Sequence, residues 1–148
     1  PELLARLSPH GILDDHLFHD AQHLNLVGYV ALAQNVLEQL ERRRAFRWPA
    51  RTAVPRVALE ECALHFELNA EKWCHVFEQS SSFYRRTAYI RFDPSERLEV
   101  AERYHRAARE LAAGRPLQPS GLPSVDVAIA LLHPPGSPPA AAAPEPSS

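Results

Sequence analysis

Two side chains near the start of the chain have the types and the spacing needed for general-base catalysis. Asp20 and His23 are separated by two residues, so in a turn or a first helical loop the carboxylate can face the imidazole. A carboxylate that accepts a hydrogen bond from Nδ1–H fixes the tautomer and leaves Nε2 to take the proton of a hydroxyl nucleophile. The pair therefore predicts a catalytic acid and base, and an ordinary loop hydrogen bond is the structural alternative.

The helix that follows His23 is the element that must hold this pair still. Apolar residues recur at i, i+3, i+4 and i+7 from residue 26 to about residue 43, which predicts a helix with one buried face. Asn25 and Gly28 lie where the chain turns into this helix. The arginines at residues 42–47 suit the dipole at its C-terminal end, and they indicate a solvated helix end rather than a phosphate or membrane patch.

A metal site is a second interpretation of the same region. His16, His19, Asp20 and His23 form the string H-x-x-H-D-x-x-H, and neutral imidazoles and carboxylates are zinc ligands. The histidines converge only if this stretch is helical, whereas Leu17 and Phe18 need burial within it. The pattern therefore favours a structural or loop role for His16 and His19, and no metal is predicted.

Residues 20–29, DAQHLNLVGY, resemble the last motif block of the SGNH (GDSL-like) serine hydrolases. In that family an Asp-x-x-His pair supplies two triad residues shortly before the C-terminal helix. The resemblance implies that Asp20 orients the ring and His23 acts as the base. It also implies a three-layer α/β hydrolase fold, an acyl, acetyl or carbohydrate ester as substrate, and no metal or organic cofactor. Leu24 stands where the family usually has proline.

The nucleophile block of that family is missing from this sequence. No Gly-Asp-Ser or Gly-x-Asn-Asp string occurs, and the 19 residues before Asp20 contain a single serine, Ser8. We therefore expect the chain to be the C-terminal part of a longer ester hydrolase, with its nucleophile and oxyanion donors upstream and no activity by itself. An α-helical protein-interaction module without catalytic activity is the alternative.

Composition limits the remaining classes of function. Of the 148 residues 45% are hydrophobic and 23% charged, as in globular domains, and no apolar run is long enough to cross a bilayer. A net charge of −2 without a basic concentration gives no footprint for nucleic acid. Cys62 and Cys74 are interpreted as small buried hydrophobes, with a bridge between them as the less favoured alternative. Neither a compartment nor an oligomeric state is indicated.

Residues 49–115 predict a helical extension of three antiparallel helices. Pro55 is placed in the first turn of one helix, Asn69 caps the next, and Asp93 with Pro94 begins the third, which ends at Gly114. The middle helix carries an aromatic stripe from residue 73 to residue 84 that is predicted to be packed core rather than a cofactor site. Single histidines on the three helices, at positions 65, 75 and 105, are not expected to converge.

Residues 116–148 differ from the rest in composition. They hold nine of the fourteen prolines, so we expect a largely disordered, Pro- and Ala-rich tail in which residues 125–132 pack back as a short strand or turn. The predicted organisation is a C-terminal hydrolase segment at 1–48, the helical extension at 49–115 and this tail. The predicted fold class of the chain is mainly α.

Overall fold

The computed structural model describes Ser8 and residues 17–18, 23–47, 53–90 and 92–133. This part of the chain contains five α-helices and no β-strand, which confirms the mainly α class. Among these helices none combines the length and the apolar character needed to cross a bilayer. The helices are α1 (Leu26–Arg42), α2 (Leu59–His65), α3 (Ala70–Thr87), α4 (Ser95–Ala112) and α5 (Pro123–Leu132).

Helices α3 and α4 pair over most of their length and form the centre of the core. The predicted aromatic stripe lies between them as packed rings, with Trp73 5% exposed and Phe77 fully buried. Ring centroids are 5.7 Å apart for Trp73 and Phe77, 5.9 Å for Phe77 and Tyr104, and 5.9 Å for Tyr84 and Tyr104. These offset contacts are the geometry that aromatic rings prefer, so the prediction of a packed core is confirmed.

The ends of these helices follow from local sequence. Asn69 caps α3, because its side chain accepts a hydrogen bond from the backbone N–H of Lys72 at 3.0 Å. Asp93 accepts hydrogen bonds from the backbone N–H and the hydroxyl of Ser95, at 2.9 and 2.6 Å, although Pro94 precedes the helix rather than lying in its first turn. Gly114 ends α4 with a φ of +66°, a left-handed conformation that costs glycine little.

Helix α2 does not follow the predicted arrangement. Pro55 is not in its first turn, since residues 53–58 are extended and the helix begins at Leu59. The reason is a tertiary contact: the backbone N–H of Val57 donates to Gln34 Oε1 on α1 at 2.9 Å, which ties this segment to α1. Helix α2 therefore lies against α1, and it is not the third helix of the α3–α4 pair.

The third helix of that core comes from the region expected to be largely disordered. Residues 123–132 form α5, neither a strand nor a turn, and Val125 and Ala128 are fully buried in the cluster that contains Trp73 and Phe77. Leu117 and Leu122 are buried there as well. The expectation of disorder is therefore wrong for residues 116–133, because apolar side chains at i and i+3 gave this short segment a buried face. Residues 134–148 lie outside the described part.

Both cysteines are free and half-buried, so the bridge is not formed. The thiol of Cys74 donates to the backbone carbonyl oxygen of Ala108 at 3.4 Å. Burial, reinforced by the carboxylate of Glu78, raises the pKa of this thiol, which suits a packing residue and not a nucleophile.

Candidate functional site

His23 lies on the surface three residues before Leu26, the first residue of α1, and it is exposed. An incoming hydroxyl can therefore reach the imidazole, as a general base requires. Asp20, the predicted orienting acid, lies outside the described residues, so the pairing of Asp20 with His23 stays a prediction. His16 and His19 lie outside them too, and the described residues contain no group of three or more metal-ligating side chains.

The two ends of the loop that contains His23 are joined by backbone contacts. Phe18 and Leu24 form an antiparallel bridge, and the N–H of Asn25 donates to the carbonyl oxygen of Leu17 at 2.8 Å. Leu17 is fully buried and anchors the first end of the loop. These contacts hold Leu24 and Asn25, the two residues that follow His23, against Leu17 and Phe18.

The first turn of helix α1 contacts Leu17, the buried residue at the start of the loop. The buried side chain of Asn25 accepts a hydrogen bond from the N–H of Gly28 at 3.0 Å, a standard N-cap. Gly28 leaves no room for a side chain: a Cβ there would overlap the carbonyl oxygen of Leu17 and lie 2.8 Å from Leu24 Cδ2. The prediction that Asn25 and Gly28 turn the chain into a helix that holds the loop is confirmed, and the missing side chain of Gly28 is what permits the close approach.

An open groove of about 610 Å³ runs along His23. His23, Leu24 and Tyr29 form one wall, and helix α3 forms the other through its C-terminal half. Arg86 carries the only permanent charge among the lining residues. Ser80 adds a hydroxyl that is buried without a hydrogen-bond partner. The residues from α3 are Gln79, Ser80, Ser82, Phe83, Arg86 and Thr87.

Sequence reasoning did not assign these α3 residues to the site. Phe83 belongs to the aromatic stripe that was predicted as packed core, and Gln79 and Arg86 lie four residues before it and three after it, which was the available signal. That this face lies against the His23 loop depends on the tertiary arrangement. The separate histidines of α2, α3 and α4 do not line the groove.

A second, apolar cavity of about 220 Å³ shares two lining residues with the groove. Leu24 and Tyr29 line both the cavity and the groove. The indole N–H of Trp73 and the hydroxyl of Ser124, both buried, belong to residues that line it and have no hydrogen-bond partner. Its remaining lining residues are Asn25, Leu26, Val27, Leu68, Val76 and Val127.

No protein-family model, curated protein or solved structure matches the chain. The function is therefore inferred from the residues of this chain and their arrangement.

Proposed function

We propose that this chain supplies the catalytic base and its orienting acid to an SGNH-type serine ester hydrolase. The observation that carries the proposal is the placement of His23: an exposed imidazole on a loop that backbone contacts close and that α1 anchors through Asn25 and Gly28. A general base must be accessible and must hold its orientation. The exposure of His23 supports the first requirement, and the anchored backbone of Leu24 and Asn25 supports the second.

In the proposed reaction His23 Nε2 takes the proton of a serine hydroxyl as that oxygen attacks the ester carbonyl. Asp20 accepts from Nδ1–H, holds the tautomer and stabilises the imidazolium. His23 then gives the proton to the leaving alcohol, and the acyl group passes from the serine to water. The attacking serine and the oxyanion donors lie outside these 148 residues, because neither family string occurs in them. The substrate is an acyl, acetyl or carbohydrate ester.

The test compares two histidine variants in the protein that carries this sequence together with a Gly-Asp-Ser segment. His23→Ala should lower kcat for p-nitrophenyl acetate by at least about 10⁴-fold, since no base remains. It should change the free energy of unfolding by about 0.5 kcal/mol or less, because the side chain is exposed. His75→Ala, an exposed histidine on α3 outside the groove, is the matched control and should keep full turnover. Equal turnover in both variants would refute the proposal.

The 148-residue chain by itself gives an independent check. It should show no turnover of p-nitrophenyl acetate that depends on His23. Turnover that His23→Ala removes would place the nucleophile within this chain and overturn the assignment of the serine to another segment.

An α-helical protein-interaction module is the second candidate, and one surface favours it. Tyr89, Ile90 and Phe92 lie within four positions of one another in the segment between α3 and α4 and are 76%, 78% and 108% exposed. Large apolar side chains exposed close to one another in sequence can form a contact with another protein. The partner would present an apolar surface to this turn.

The two functions predict different results for one pair of measurements. For the module, the native protein has no esterase activity, and a photo-reactive residue at position 92 forms a discrete protein adduct. Position 64 is a matched control, because Leu64 is 81% exposed but lies away from the turn, on α2, and it should form no adduct. Turnover that depends on His23, without an adduct at position 92, excludes the module.

A further inference from the structure

The apolar face of α1 stays exposed in the fold. Tyr29, Leu32 and Val36 recur at i, i+3 and i+7, so they lie on one face of the helix, and they are 54%, 37% and 47% exposed. Among the residues of α1, Gly28 and Ala31 alone are buried, and Ala31 lies on the opposite side of the helix from Val36. The face that was predicted to be buried is therefore open to solvent.

Four arginines lie where this helix ends. Arg42 is the last residue of α1, and Arg43, Arg44 and Arg47 follow it within five positions. All four are exposed, and none of their side chains forms an ion pair with a described residue. Arg43 follows Val36 by seven positions, which places it in line with the apolar face. The end of this face therefore carries positive charge that the described part of the chain does not neutralise.

An aromatic ring is exposed among these arginines. Phe46 is 90% exposed, and it adopts a left-handed conformation with a φ of +53°, as do Arg44 and Arg47 at +51° and +59°. This conformation is unfavourable for residues that carry a Cβ, and burial of the ring within the protein does not offset it. The turn after α1 thus presents an apolar ring and positive charges to the surroundings of the protein.

These features are typical of a helix that lies in the surface of an anionic membrane. The apolar face of such a helix enters the boundary between headgroups and acyl chains, and its arginines attract anionic lipids. The acidic residues of α1, Glu38 and Glu41, follow Val36 by two and five positions, so they point away from the apolar face. Repulsion between these carboxylates and anionic lipid is therefore kept small.

Charge complementarity favours a membrane over a second copy of this chain as the occupant of the face. A second copy paired along it in parallel would bring two sets of arginines together. An antiparallel copy would bring the arginines to the first turn of the other helix, which contains no acidic residue and is the positive end of its dipole. Anionic headgroups supply the negative charge that both pairings lack.

We propose that residues 26–47, which comprise α1 and the turn after it, bind the surface of an anionic phospholipid bilayer. Leu32 and Val36 enter the interface from the apolar face, Phe46 inserts at the end of the helix, and the four arginines contact the phosphate-bearing headgroups. The sequence alone indicates a solvated helix end for these arginines, and the structure adds the exposed face and the exposed ring. The inference does not rest on the proposed hydrolase.

The experiment is co-sedimentation of the full chain with two kinds of vesicle, phosphatidylcholine alone and phosphatidylcholine with about one-third phosphatidylserine. The chain should bind the anionic vesicles at least about tenfold more strongly than the neutral ones at low salt. This preference should decline in about 0.5 M salt, because salt screens the attraction between exposed charges.

Two charge variants locate the site. Arg43→Gln/Arg44→Gln should weaken binding to the anionic vesicles about 25-fold, at roughly fivefold for each arginine near the lipid surface. Arg106→Gln/Arg109→Gln is the matched control, because it removes the same charge from exposed positions of α4. It should change binding by about twofold or less, since charges away from the membrane contact are screened.

Two further variants test the apolar contacts. Leu32→Gln/Val36→Gln should weaken binding about tenfold or more, and Phe46→Ala roughly three- to tenfold, through loss of apolar area that enters the interface. Leu64→Gln is the matched control, because Leu64 is 81% exposed on α2, and it should leave binding unchanged. All these positions are exposed, so circular dichroism should show the same helix content in every variant.

Three results would overturn the inference: no preference for the anionic vesicles, equal losses in the two charge variants, or unchanged binding in Leu32→Gln/Val36→Gln. Sedimentation equilibrium adds a fourth. A chain that dimerises, loses this association in Leu32→Gln/Val36→Gln and does not bind vesicles would assign the face to a second copy instead. None of these measurements involves turnover, so their outcome is independent of the proposed hydrolase.

Discussion

The core formed by α3, α4 and α5 and the loop that carries His23 are held by different interactions. In the core, side chains bury apolar area, with Phe77 and Val125 fully buried between helices. At the loop, the contacts are mainly between backbone atoms. The Leu17 carbonyl oxygen accepts a hydrogen bond from the Asn25 N–H, and the backbone of Gly28 lies so close to that oxygen that no side chain fits there.

The difference explains how the protein can be stable and still expose a candidate catalytic residue. Burial of large rings stabilises the fold without fixing any surface group. A short loop buries little area, so hydrogen bonds and a close backbone approach must set its geometry instead. Variants in the two regions should therefore change different measurements.

The largest effect is expected from Phe77→Ala. Removing a fully buried ring should lower the free energy of unfolding by about 3–5 kcal/mol, from lost burial and the cavity left behind. Phe46→Ala is the matched control, because Phe46 is 90% exposed, and it should cost about 0.5 kcal/mol or less. Chemical denaturation measures both, and similar costs would contradict the packing of the ring between α3 and α4.

Gly28→Ala should affect the loop more than the core. The added Cβ overlaps the Leu17 carbonyl, and overpacking of this kind costs about 1–3 kcal/mol, of which alanine's helix propensity returns up to about 1 kcal/mol. Hydrogen exchange of the Asn25 amide, which donates to that carbonyl, should accelerate several-fold relative to amides in α3 and α4.

Gly114→Ala is the control for Gly28→Ala. Its Cβ meets no atom within 4 Å, but its φ of +66° is strained for alanine, at a cost of about 1 kcal/mol. This variant should lower global stability without selective acceleration at Asn25. Equal exchange patterns in the two variants would show that Gly28 does not hold the loop.

The two asparagine caps allow the same comparison with identical chemistry. Asn25 and Asn69 each accept from the N–H three residues later at 3.0 Å, but Asn25 is 8% exposed and Asn69 is on the surface. Substitution by alanine should lower the free energy of unfolding by about 2 kcal/mol at Asn25 and by about 0.5 kcal/mol at Asn69. The reason is that water can replace the exposed cap at the Lys72 N–H but cannot reach the buried Gly28 N–H. A larger loss at Asn69, measured by thermal or chemical denaturation, would reverse the comparison.

The smallest effect concerns pH. The hydroxyl of Ser95, and then its backbone N–H, lower the pKa of Asp93 below its ordinary 3.8. A carboxyl whose folded pKa is depressed contributes stability above its unfolded pKa and loses that contribution as pH falls through the folded value. The stability difference between the wild type and Asp93→Asn should therefore shrink between pH 6 and pH 2. If the difference in unfolding free energy stayed constant across this range, the charge of Asp93 would contribute nothing to stability.

Local sequence determined those helices whose start, end or buried face depends only on residues close together in the chain. The apolar period of α1, the Asn69 cap of α3 and the Gly114 stop of α4 were all predictable, because capping and periodicity involve only neighbouring residues. The aromatic stripe of α3 was correctly predicted as core for the same reason. The pairing of His23 with Asp20 stays a prediction.

Tertiary contacts decided the rest. Gln34 accepts a hydrogen bond from Val57 and so ties the extended segment 53–58 to α1. Helix α5 buries Val125 and Ala128 in the core despite its proline-rich context. The α3 wall of the His23 groove and the cavity lined by Leu24 and Tyr29 bring residues near the start of the chain together with residues about 40 or more positions later. The sequence by itself determined which residues could do chemistry and which segments are helical; only packing, through which distant side chains exclude water together, decided what surrounds His23.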